Sequence, residues 1–146
     1  MLTRGCAGGV VFIKDRVFIM KNEKGEWVLP KGVIRNNQLA LDVALDRVKH
    51  EGGVDATIVS PAGETSYEFY SVSRKMPVCN KIDWFIMEAT SKSFSVNKEE
   101  GFSEGGFFLI ADALEKITYS QDKSLIHLAY QKYNYYINKE IGKTIV

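Results

Sequence analysis

Cysteine, proline and histidine are scarce in this chain: two Cys, three Pro and two His among 146 residues. Two cysteines, Cys6 and Cys79, cannot build a disulfide framework, and neither stands in a C-x-x-C or Cys/His metal spacing. Both read as small buried apolar groups, and a reducing cytoplasm is the expected compartment. Long apolar runs are missing as well. No stretch approaches the roughly 20 apolar residues of a membrane span, and residues Met1 to Cys6 lack the apolar core of a signal peptide. Charge excess is absent too, with a formal net charge of +1. That balance argues against a nucleic-acid coat or a membrane-surface role, both of which need a concentrated positive field. A local basic cleft stays open.

What is present is an ordinary globular mixture, 45% hydrophobic and 25% charged. No repeat, low-complexity tract or Pro/Gly/Ser linker divides it, so residues 1–146 are expected to form a single domain. Ala7 to Ile13 and Val17 to Lys21 are rich in β-branched residues and are separated by Lys14-Asp15-Arg16, the pattern of paired strands. Trp27-Val28-Leu29 follows a turn and stops at Pro30. From Gln38 to Glu51 the period becomes helical: Leu41, Ala44, Leu45 and Val48 share one face, and Gln38, Asp42, Asp46 and His50 another. Gly52-Gly53 ends that helix.

Ala56 to Val59, Tyr67 to Val72 and Ile82 to Ala89 read as further strands. Gly105 to Ile110 reads as a loop leading into a short helix that ends near Lys116. A last helix is expected from Gln121 to Asn138, capped by Ser120, with Leu125, Ile126, Leu128, Ala129, Tyr133 and Ile137 on its buried side. Strands interleaved with helices predict an α/β sandwich on a mixed sheet.

The segment from Trp27 reads W-V-L-P-K-G-V-I-R-N-N-Q-L-A-L-D-V-A-L-D-R-V-K-H-E-G-G-V. It resembles the signature of the Nudix hydrolases, G-x5-E-x7-R-E-U-x-E-E-x-G-U, where U is a bulky aliphatic residue. Gly32, Val48, Glu51, Gly53 and Val54 fall on their signature positions with no insertion or deletion. The A-G-G-V-V-F strand, the G-F-F-L-I-A-D-A-L segment and the closing helix extend the likeness over residues 5 to 133. The resemblance implies a Nudix-type α/β/α sandwich with a mixed sheet. It also implies a pyrophosphohydrolase of nucleoside diphosphates linked to another group, acting with magnesium or manganese on a nucleotide-type small molecule. Neither a nucleic-acid nor a membrane partner is expected.

The charged positions depart from that pattern. Gln38 stands in place of the first glutamate, Asp46 of the arginine, Arg47 of the next glutamate, and His50 of the first member of the closing pair. In the family helix, residues at i, i+3 and i+4 converge on one patch and supply carboxylates to a hard cation. Here that patch reads Arg47, His50, Glu51. Arginine has five donors, no acceptor and a permanent charge, and imidazole suits zinc or copper better than magnesium. The resemblance leaves Gly32 and Glu51 as the metal positions, with binding weak or absent, and Arg47, His50 and Glu51 as the positions of the catalytic patch.

Two readings follow: a hydrolase whose catalysis is weakened or altered, or an inactive module that uses the pocket to bind a nucleotide. Within the second, Arg47, His50 and Lys31 supply the positive charge that a metal normally brings. Against both stands a helix face no longer in use. On the helix itself, Asp46 is expected to pair with His50 at i, i+4.

Other signals have two readings each. Tyr70, with Pro30-Lys31-Gly32, resembles the dinucleoside-polyphosphate branch, in which a tyrosine stacks a base; alternatively Tyr67, Phe69 and Tyr70 pack along a strand. Ser73-Arg74-Lys75 is a solvated loop or a second phosphate contact. Glu99, Glu100 and Glu104 fall where the family often places an extra base or metal ligand, or form a solvated acidic loop. Gly142-Lys143-Thr144 resembles the end of a phosphate loop, but its partner glycine would fall on Ile137. Ser120 to Lys123 has S-x-x-K spacing that helix capping explains, and His127 reads as structural.

Overall fold

The computed structural model describes residues 1–145, with side chains to residue 139. Strand β1 (Leu2–Ile13) turns at Lys14 and Asp15 into β2 (Arg16–Lys21), as the alternating β-branched residues predict. Strands β3 (Trp27–Val28) and β4 (Lys31–Val33) precede helix α1 (Ala40–Gly52). Then come β5 (Ala56–Ser71), β6 (Met76–Ala89), a one-turn 3-10 segment (Lys98–Glu100), β7 (Glu104–Leu109), α2 (Ile110–Lys116) and α3 (Ser120–Ile145). The chain continues α3 through 142–144, whose side chains lie outside the described residues.

The sheet runs β3-β2-β1-β6-β5, with β4 paired to β1 and β7 to β2. Among the described residues only β1 and β6 run parallel; the other pairs are antiparallel, so the sheet is mixed. Two sequence expectations change here. The stretch 105–109 belongs to strand β7, where Gly105 and Gly106 pair with Met20 and Ile19, and Ile110 begins α2. The two strands expected at 56–59 and 67–72 are one edge strand, β5, whose register slips near Ser60 and again before Gly63. Those bulges let Pro61 sit in a strand without interrupting it.

Helices cover both faces. On one, Val43, Ala44 and Val48 of α1 pack with Val11, Phe18 and Met87. On the other, Leu125, Ile126, Ala129 and Tyr133 of α3 pack with Val10, Phe12, Trp84 and Ile86. Tyr133 stacks on Phe12 at 4.9 Å, and its hydroxyl donates to Glu88 at 2.6 Å. At 100° per residue, Leu128 falls outside the stripe through residues 125, 126, 129 and 133, and it is exposed. Leu41, in the first turn of α1, is exposed as well, and the buried stripe runs through Val43, Ala44, Val48 and Glu51. Position 47 falls within that same arc.

Candidate functional site

The site forms at the C-terminal end of α1, where the last carbonyls of a helix need partners from elsewhere. Gly53 turns the chain out at φ 63°, its N–H bonded to the Lys49 carbonyl. A Cβ there would lie 2.7 Å from the Ser95 carbonyl oxygen and 2.8 Å from its nitrogen, so glycine is required by space as well as by φ. The segment 95–97 is that close because it caps the helix. Ser95 N–H donates to the Gly52 carbonyl and Asn97 N–H to the Glu51 carbonyl, each at 2.8 Å, while Asn97 Nδ2 reaches the His50 carbonyl at 3.1 Å. The chain then makes its 3-10 turn, capped by the Asn97 side chain, and brings Glu100 over the helix.

Four side chains meet there. The Arg47 guanidinium donates through Nη2 to Glu51 Oε2 at 2.6 Å. Glu51 is 7% exposed, and its other oxygen accepts the Lys31 N–H at 3.3 Å. His50 Nε2 lies 2.9 Å from Glu100 Oε1, and Arg47 Nη2 lies 3.9 Å from Glu100 Oε2. Burial pushes the Glu51 carboxyl above its ordinary range, against the opposing pull of Arg47 and Lys31. The His50 hydrogen bond, helped by the Arg47 charge, holds Glu100 below it.

Arg47 also lies flat against Gly32: a Cβ on that glycine would be 2.6 Å from Arg47 Cδ and 2.9 Å from Nε. Nε itself is buried with no hydrogen-bond partner among the described residues. The pair expected between Asp46 and His50 is replaced by His50–Glu100. A loop fifty residues away competes successfully for the imidazole, and Asp46 remains exposed.

Lys31 is divided between two places. Its N–H serves Glu51, but its side chain leaves on the opposite face of the sheet from α1. It pairs with Gly8, whose missing side chain would point at Trp84 and at Lys31 Cβ, whereas that of Gly9 would point at Val48 of α1. The Lys31 ammonium lies 5.9 Å from the Tyr67 ring centroid. The expected cluster of three cations therefore splits, with Arg47 and His50 on α1 and the Lys31 ammonium across the sheet.

Tyr67 belongs to a second constellation that the sequence did not single out. Its hydroxyl accepts from Asn80 Nδ2 at 2.8 Å, and Asn80 Oδ1 accepts from Arg4 Nε at 2.9 Å. The Arg4 guanidinium lies over Phe69 at 5.8 Å. Asp122, at the start of α3, has its carboxyl raised by burial against the opposing charge of Lys31. Tyr70, three residues from Tyr67 on the same strand, faces the other side and is 63% exposed. Arg74 and Lys75 lie in the exposed turn between β5 and β6. Glu104 pairs with Lys21 at 3.3 Å, and His127 is exposed beside Gln131.

The mixed sheet between two helical layers has counterparts among solved structures. A Nudix hydrolase from Nitrosomonas europaea superposes with a TM-score of 0.66 at 16% identity, over 91% of this chain and 74% of that one. The C. elegans Ap4A hydrolase gives 0.66 at 14%, over 89% and 96%. The E. coli dihydroneopterin triphosphate pyrophosphohydrolase gives 0.68 at 14%, over 86% and 95%. The chain has the Nudix fold. No protein-family model matches its sequence.

On the Nudix fold, the resemblance assigns a divalent cation to Gly32 and Glu51. The residues present do not fit one. Arg47 is in contact with both of those positions and carries a permanent positive charge. Glu51 already spends its oxygens on Arg47 and the Lys31 N–H. Among the described residues, no group of three or more His, Cys, Asp or Glu side chains is placed to hold a metal.

Proposed function

We propose that this protein binds a nucleotide-type small molecule in a Nudix pocket and has lost metal-dependent pyrophosphate hydrolysis. The observation that carries the reading is Arg47, clamped between Gly32 and Glu51 where the resemblance assigns the metal. A guanidinium supplies positive charge for phosphate oxygens through charge-assisted hydrogen bonds. It cannot lower the pKa of a bound water, which is how a catalytic metal makes its nucleophile.

Lys31 touches both faces of the sheet: its N–H serves Glu51 beside α1, and its ammonium lies over Tyr67 across the sheet.

Calorimetric titration with ADP and a dinucleoside polyphosphate, with magnesium and again with EDTA, tests the proposal alongside a hydrolysis screen with magnesium and manganese. Binding that survives EDTA, without turnover, is the expected result. Restoring the signature through Gln38→Glu, Asp46→Arg, Arg47→Glu and His50→Glu is expected to introduce turnover. Robust hydrolysis by the natural chain, abolished in Glu51→Gln, would return the protein to the active hydrolases and end this reading.

A further inference from the structure

The geometry points to Glu100 as a built-in occupant of the phosphate site: an internal carboxylate latched onto Arg47 and His50, which an incoming phosphate group must displace. The inference rests on the binding function proposed above and adds how that site is controlled.

Two basic side chains one turn apart on α1 converge on one anion, with His50 Nε2 at 2.9 Å from one Glu100 oxygen and Arg47 Nη2 at 3.9 Å from the other. A guanidinium and an imidazole that embrace a carboxylate have the layout to embrace a phosphate oxygen pair, since both anions offer paired oxygens to the same donors. Arg47, His50, Asp46 and Lys49 line an open hollow of about 420 Å³ beside this contact, within the range of small-ligand sites. Lys49 is engaged by Asp55 at 2.9 Å, which leaves Arg47 and His50 as the basic groups facing Glu100.

The latch is built to hold weakly. Glu100 is 43% exposed at its side chain, and its Arg47 contact lies at the outer limit of an ion pair. Its carrier is a single 3-10 turn, and the segment leading into it has its own hydrogen bonds to the α1 carbonyls through Ser95 and Asn97. Glu100 can therefore swing out while the turn stays docked. Arg47 Nε is buried against Gly32 without a partner among the described residues, so the guanidinium reaches Glu51 and Glu100 through Nη2. A phosphate dianion carries more charge than a carboxylate and more acceptor oxygens, and is expected to win Arg47 and His50 at sufficient concentration.

The test is titration of inorganic pyrophosphate, in EDTA, into the natural chain and the Glu100→Gln and Glu99→Gln variants, each checked by thermal melting. Glu100→Gln keeps the size of the side chain and removes the competing charge. It is expected to tighten pyrophosphate binding roughly tenfold, about 1.4 kcal/mol by conversion. Glu99→Gln, with the same change in net charge one residue away, is expected to stay within about twofold.

Equal affinities for the natural chain and Glu100→Gln, with ADP still bound by both, would overturn the latch and leave the proposed function standing. Weaker binding in Glu100→Gln would overturn it too, by making Glu100 a contact and not a competitor. An equal gain in Glu99→Gln would reduce the effect to bulk charge. Failure of every protein to bind either pyrophosphate or ADP would remove the binding function and the latch together.

Discussion

Replacing Arg47 with methionine should expose how much of the helix end depends on a salt bridge that the resemblance would not place there. Methionine preserves an unbranched stem against Gly32 while removing the charge. Breaking a fully buried pair by deleting one partner costs about 3–5 kcal/mol, whereas an exposed pair is worth about 0–1 kcal/mol. Side-chain exposures of 28% for Arg47 and 9% for Glu51 put this pair between those limits. A loss of about 2 kcal/mol is expected, because Glu51 keeps the Lys31 N–H and can take up a proton. For a domain of 146 residues that corresponds to a fall in Tm of roughly 4–8 °C.

Glu51→Gln retains an acceptor for Lys31 and should cost about 1 kcal/mol. If the two residues act on each other, Arg47→Met/Glu51→Gln should cost no more than Arg47→Met alone, a coupling of about 1 kcal/mol. Urea denaturation of the four proteins measures it. Repeating the cycle at high salt should change the coupling little, because a pair this buried is poorly screened. Additivity of the single changes within about 0.3 kcal/mol would refute the reasoning, since Arg47 would then be a surface cation that merely lies near Glu51.

Gly53→Ala should destabilise the protein by about 2 kcal/mol or more in urea melts, because φ is 63° and the new Cβ would meet the Ser95 backbone at 2.7 Å. Tyr133→Phe should cost about 1.5 kcal/mol at neutral pH through loss of the bond to Glu88. Burial, then the Glu88 bond, pushes the Tyr133 phenol far above its ordinary value of 10.0. The folded state thus holds that proton longer than the unfolded chain, and the stabilisation is full below about pH 10 and declines as pH rises beyond it. The gap between natural and Tyr133→Phe proteins should accordingly narrow in melts above pH 10.

Local pattern made much of the frame legible. The β-branched runs on either side of Lys14-Asp15 formed β1 and β2, Gly53 ended α1, and Leu125, Ile126, Ala129 and Tyr133 formed the inner face of α3. What escaped were features decided by a distant partner. Glycines 105 and 106 look like a loop until β2 offers them a ladder, and Val59 to Tyr67 look like a break until two bulges carry the strand through Pro61. Tyr70 matched the expected offset, but strand alternation turned it away and brought Tyr67 to Lys31.

The same division explains the site. Gly32, Val48 and Gly53 answer to space and backbone angle: contact with a side chain of α1, a place in the core, a left-handed exit against Ser95. Those demands persist whatever charge the helix carries, so a fold can keep its frame while its chemistry changes. Charge at position 47 answers instead to Glu51 one turn on and to Glu100 fifty-three residues away. Helix geometry already set Arg47 and Glu51 at i and i+4, so one substitution from carboxylate to guanidinium turns two repelling neighbours that need a cation into a pair that contains its own. Sequence spacing identifies the position; the contacts with Gly32 and Glu51 show what the Arg47 side chain meets there.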